Sequence, residues 1–161
     1  MNLNQIEHEP GFNVIGIAIR TSNNAAFSDN SIGNLWQRFF AESVFATIPH
    51  KIDHAIVAVY YDFATDRNGE YNLLLGARVS SIDEIPMGMI AYHVPSQKRA
   101  IFVSESGPVG QVCFDLWKKI WLLEDENKLN RAYSADYELY DERSKDRQNA
   151  QVAIYIGIKS T

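Results

Sequence analysis

One cysteine, Cys113, is all the chain of 161 residues carries, so no internal disulfide can form. Cys113 lies in an amphipathic helical pattern and reads as a small buried hydrophobe. The four histidines, His8, His50, His54 and His93, show neither H-x3-H nor Cys-His spacing, and no metal site is expected. Walker loops, G-x-G-x-x-G and G-x-S-x-G are missing, so no cofactor and no serine-hydrolase elbow are expected. No apolar run approaches the roughly 18 residues of a membrane span. The first stretch, MNLNQIEHEPGF, also lacks the basic start of a signal peptide. A cytoplasmic location without membrane contact is the expectation. Basic clusters are missing too. With a net charge of −5, direct nucleic-acid binding, which needs Lys and Arg along the phosphates, is not expected. The acidity instead favours cationic ligands.

What the chain does have is apolar and aromatic side chains, 46% and 12% of residues. The first figure supports one core without covalent staples, and the second supplies Tyr and Trp rings suited to a wet pocket.

Laid against itself, the sequence repeats. Leu35-Trp36 matches Leu116-Trp117 at a distance of 81 residues. Around that anchor Ile32, Leu35, Trp36, Phe39 and Phe40 match Cys113, Leu116, Trp117, Ile120 and Trp121. Both sets recur at i, i+3, i+4, i+7 and i+8, one apolar face of an α-helix. Ser28 or Asp29 would start the first helix, and Ser106 with Pro108 the second. Tyr61-Asp62 then matches Tyr140-Asp141 at 79, Asp66-Arg67 matches Asp146-Arg147 at 80, and Gly76 matches Gly157 at 81. In each copy two strand-like runs follow the helix: residues 54–63 and 70–80, then 132–142 and 150–159. Another strand candidate precedes each helix, at 12–21 in the first copy and at 88–94 with 99–104 in the second.

These patterns predict a single α+β domain over residues 1–161. Two tandem strand–helix–hairpin units, about 8–80 and 85–160 with Ser81–Met87 between them, join into one antiparallel sheet beneath two main helices. A central cleft is expected at the pseudo-twofold axis that relates them.

One residue breaks the pattern. Glu138 sits among Tyr133, Ala135, Tyr137, Leu139 and Tyr140, and the Tyr-Asp match sets it against Val59 of the first copy. Three readings stay open: a solvent-facing position on the uncovered sheet face, an internal pair with Lys159 or Arg78, or a pocket carboxylate that awaits a cationic ligand among aromatics.

The stretch Asp136-Tyr137-Glu138-Leu139-Tyr140, a polar loop and Ala153–Ile158 (AIYIGI) resemble the GyrI-like superfamily. So does Ile85-Pro86-Met87-Gly88 followed by Ala91-Tyr92. That superfamily includes the effector-binding domains of AraC- and MerR-type multidrug regulators. The resemblance covers nearly the whole chain, duplication included, and is strongest to stand-alone proteins of integron gene cassettes, with no DNA-binding domain attached. It implies an effector-binding domain that takes lipophilic, cationic small molecules, with Glu138 meeting the positive charge. A separate DNA-binding or transcription partner is a further expectation. The family's glycine-ended loop after the Y-A strand is replaced here by His93–Arg99, which implies a different cleft wall. The aromatic partners rest on the repeat instead. Trp36 and Trp117 are equivalent and would both meet the axis, with Trp121, Tyr60 and Tyr92 as further candidates, although a Trp on an apolar helical stripe is core more often than pocket. The enzyme alternative is hydrolysis of strained electrophiles by a pocket Glu, which some GyrI-like proteins perform. A gyrase-inhibitor-like interaction module is a third. No catalytic residue is assigned.

Overall fold

The computed structural model describes residues 5–159. Met1–Asn4, at the start of the stretch read against a signal peptide, and Ser160, the last residue of the second repeat, lie outside them. The elements run β1 (Ile6–Glu9), β2 (Phe12–Ser22), α1 (Asn23–Asp29), α2 (Ser31–Ala41), α3 (Val44–Thr47), β3 (Lys51–Tyr61) and β4 (Glu70–Val79). After the exposed junction come β5 (Ile90–Val94), β6 (Gln97–Val103), α4 (Val109–Asp125), β7 (Ala135–Tyr140), a 3-10 turn at Glu142–Ser144 and β8 (Ala153–Gly157). Among the described residues no helix is long and apolar enough to cross a membrane.

All eight strands form one antiparallel sheet in the order β1-β6-β8-β7-β3-β4-β2-β5. Exchanging β1–β4 for β5–β8 reads that order backwards, so the expected pseudo-twofold axis runs between β3 and β7. The strand that leads each repeat crosses over. β1 precedes β2 by only Pro10-Gly11 yet pairs with β6, and β5 precedes β6 by only Pro95-Ser96 yet pairs with β2. In a flat sheet β1 and β2 would stand six strand spacings, about 29 Å, apart. Three Cα steps reach only about 11 Å. The sheet must therefore curl, and it forms a half-barrel.

The curl gives the two sheet faces different covers. On one face α2 and α3 bury Leu35, Phe39 and Val44 against the first half, and α4 buries Cys113, Leu116, Trp117 and Ile120 against the second. On the other face the buried cluster of Val14, Val57, Val59, Leu74, Val94, Leu139 and Ala153 comes from strands alone, so the sheet covers itself there.

Four local expectations change. The first long helix starts at Ser31 rather than at Ser28 or Asp29, which belong to α1; Asn30 turns the chain between the two helices in the left-handed region at φ 58°. β1, α1 and α3 carry too little apolar pattern to be read: β1 is polar and exposed, and α1 buries no residue. The match of Glu138 to Val59 is one residue out of phase. Cross-strand partners share a face, and Glu138 pairs with Ala58 while Val59 pairs with Tyr137 on the self-covered face. For the same reason Tyr60, not Tyr61, shares the face of Tyr140.

Candidate functional site

Over the β3–β7 seam, between α2 and α4, lies a cavity of about 430 Å³. Strand alternation aims Glu138 and Tyr140 of β7 and Tyr60 of β3 into it, and the inner stripe of α4 adds Cys113 and Trp117. Glu138 is only 3% exposed, which removes the solvent-facing reading. Its Oε2 accepts from the Tyr60 hydroxyl at 2.8 Å and the Trp117 Nε1–H at 2.6 Å, and its Oε1 accepts from the Tyr140 hydroxyl at 2.6 Å.

Burial first, and then the charge of Glu138, push the Tyr60 phenol well up. Burial also raises Tyr140, followed by Cys113 and Glu138, so both phenols are protonated donors. The Cys113 thiol, raised by burial, packs 3.5 Å from the Tyr140 hydroxyl as a neutral group. The internal-pair reading does not hold either. Arg78 is committed to Asp53 at 2.5 Å, Arg131 to Asp136 at 2.7 Å and Glu124 at 2.9 Å, and Glu138 has no ion-pair partner among the described residues.

Aromatic rings surround this carboxylate. Trp36 stands edge-on to Tyr140 at 5.1 Å, Tyr60 edge-on to Trp117 at 5.4 Å, and Trp121 lies 6.2 Å from Trp117. At the rim Phe27 of α1 meets Phe114 of α4 at 5.9 Å. One end of the cavity is polar. The Arg131 guanidinium lies 5.6 Å from the Trp117 ring centre, and Arg67 binds the Trp121 carbonyl at 2.9 Å and Asp125 at 2.6 Å. Tyr133, itself in the left-handed region at φ 54°, donates to Glu124 beside them.

Of the residues singled out from sequence, Glu138, Trp36, Tyr60, Trp117 and Trp121 come together in this cavity. Tyr92 does not. It pairs with Val14 on the self-covered face and stacks on Tyr61 at 3.8 Å, because the period-two alternation of β5 turns it away from the helices. The segment His93–Arg99 is no cleft wall; its last residues form β6 and border a separate surface hollow. Tyr140 had a readable signal, two residues from Glu138 on one strand. Phe27, Phe63, Tyr71, Arg67 and Arg131 had none, since their positions depend on α1, a loop and the curl of the sheet. A larger hollow of about 860 Å³ shares Trp36 and Tyr140 as a wall. Its part-buried charges Asp53 and Arg78 already satisfy each other, whereas the smaller cavity holds the buried carboxylate without a cationic partner.

Comparison with known proteins gives the same architecture. The Bacillus subtilis (strain 168) protein YobU, a candidate transcriptional regulator by its name, is 28% identical over 161 residues, covering 99% of both chains. The integron cassette protein VCH_CASS2 from the mobile metagenome of Vibrio cholerae superposes with a TM-score of 0.77 at 26% identity, covering 96% of this chain and 95% of that one. SAV2435, whose structure was determined with tetraphenylphosphonium bound, shares the fold with a TM-score of 0.76 at 15% identity, covering 97% and 93%. The duplicated sheet, the seam cavity and a family model that matches residues 5–158 agree: the chain belongs to the Cass2 family of integron-associated effector binding proteins.

Proposed function

We propose that this effector-binding protein takes lipophilic, cationic small molecules in the seam cavity, with Glu138 as the anchor. One observation carries the reading: a buried carboxylate held by three neutral donors, with no cationic partner among the described residues. A carboxylate has about four acceptor positions, so one stays open to a ligand. Trp36, Tyr60, Trp117, Trp121 and Tyr140 line the cavity and would add cation–π attraction of about 0.5–2 kcal/mol per well-placed ring. The cavity falls within the range that encloses drug-sized ligands. SAV2435, which shares the fold, was solved with a cation of this class.

The protein is read as a cytoplasmic binder rather than an enzyme. The regulator name of YobU supports a separate DNA-binding or transcription partner that responds to the loaded state. Thermal unfolding with a rhodamine dye tests the reading. Dye at about a hundred times its Kd adds about 2.7 kcal/mol of stability, and Glu138→Gln removes most of that gain while the ligand-free fold persists. Equal dye affinity in a folded Glu138→Gln variant overturns Glu138 as the anchor.

A further inference from the structure

The cavity has a second pole. Arg131, 4% exposed, and Arg67 line it together with Glu138. The Trp117 indole stands between the poles: its Nε1–H reaches Glu138 at 2.6 Å, and its ring carries the Arg131 guanidinium 5.6 Å from the centre. Arg131 does not swing toward Glu138, because Asp136 and Glu124 hold its two terminal nitrogens at 2.7 and 2.9 Å. A guanidinium has five N–H donors. The Nε of Arg131 is buried without a partner, and Arg67 spends only its terminal nitrogens on the Trp121 carbonyl, Glu124 and Asp125. The Arg67 side chain is 23% exposed, so it is the more reachable of the two.

A cation without an acceptor gains Glu138 on one side and leaves spare guanidinium N–H groups unmatched at its other contact, the charges there being held by Glu124, Asp125 and Asp136. An acceptor group on the ligand turns that second contact into an attraction.

We propose that the site selects aromatic cations bearing a carboxylate or carbonyl acceptor on the flank away from the charge, with Glu138 meeting the cation and Arg67 and Arg131 meeting the acceptor across Trp117. This rests on the cation-binding reading and adds a second requirement to it.

Three matched dyes test it. Tetramethylrosamine has the xanthylium cation and no acceptor on its phenyl ring; tetramethylrhodamine methyl ester adds a carbonyl there, and tetramethylrhodamine a carboxylate. Fluorescence anisotropy on the full chain should give Kd values for the last two at least about threefold below that of tetramethylrosamine, as one part-exposed charge-assisted hydrogen bond supplies. Arg67→Met should narrow the gap between tetramethylrosamine and the two acceptor dyes, and Arg67→Lys should restore part of it. Equal or tighter binding of tetramethylrosamine to the natural chain, or an unchanged gap in Arg67→Met, overturns the inference. If tetramethylrosamine binds in a Glu138-dependent way without any acceptor preference, the cation-binding reading stands and this one fails. If no dye binds, or if binding ignores Glu138, both fail.

Discussion

Trp117 of α4 donates its indole N–H to Glu138 of β7 at 2.6 Å, and neither side chain is more than a tenth exposed. The proposed ligand anchor is thus also the fastener between the second repeat's helix and the sheet. Binding and stability meet in one hydrogen bond.

Trp117→Phe keeps a ring in place and deletes that donor. Urea unfolding should show a loss of about 1–3 kcal/mol, the range for a buried partner left unmatched, together with weaker dye binding. An unchanged unfolding midpoint and affinity would mean that Tyr60 and Tyr140 suffice to hold the carboxylate.

High pH should unfold the protein through its tyrosines. Burial pushes the Tyr133 phenol up to about 12, helped by its bond to Glu124, and burial also raises Tyr60, Tyr71, Tyr137 and Tyr140. An unfolded phenol loses its proton near pH 10. Above that pH the unfolded chain binds fewer protons than the folded one, so this contribution to stability, complete below about pH 10, falls as pH rises. For Tyr133 the fall should run from about pH 10 to about 12, and Tyr133→Phe should flatten part of it in a series of melting curves. A pH-independent stability across that window would contradict the burial of these phenols.

Gly76 and Gly157 match in the repeat but differ in what surrounds them. A Cβ on Gly76 would come 2.1 Å from the Ile15 carbonyl oxygen, a backbone atom; on Gly157 it would meet the end of the Gln97 side chain at 2.3 Å. Gly76→Ala should therefore cost at least about 1–3 kcal/mol, as overpacking does. Gln97 can swing aside, so Gly157→Ala should cost less than about 1 kcal/mol. Melting temperatures that order the two variants the other way would refute the close approach of β2 and β4.

Asp136 is fully buried, pairs with Arg131 at 2.7 Å and accepts the Gly157 amide at 2.7 Å. Asp136→Ala leaves a buried guanidinium with half its partners and should destabilise by about 3–5 kcal/mol. Chemical denaturation measures it, and a loss below about 1 kcal/mol would show that Glu124 alone holds Arg131.

Mass spectrometry of dye recovered after long incubation should show unmodified ligand. Accumulating product would replace the binding reading with the hydrolytic one.

The long helices and seven of the strands were legible because their apolar spacing is local. Leu35 and Phe39 on α2, or Leu116 and Ile120 on α4, announce a buried face wherever the chain goes. β1 was not legible: Ile6–Glu9 gains its place from pairing with β6, some ninety residues away, and not from its own composition. Glu138 stood out as a carboxylate among aromatics, but its phase against the first copy did not, since a Tyr-Asp match carries no information about which face a side chain takes. Tyr92 failed for that reason. Arg131 was invisible as a pocket residue because residues of two separate elements, Glu124 and Trp117 of α4 and Asp136 of β7, fix where it lies.

The crossed leading strands have a consequence for the chain as a covalent object. Each half of the sheet ends on a strand donated by the other half, and the peptide between them runs through the fully exposed Met87. A nick at Met87 would leave a noncovalent pair held by interlocked edges, not two free modules. The proposed ligand cavity lies on the seam of that pair and exists only while it is joined. Reassembly of the two fragments and occupancy of the site would then be a single coupled equilibrium, the physical basis of a split reporter that the native chain already contains.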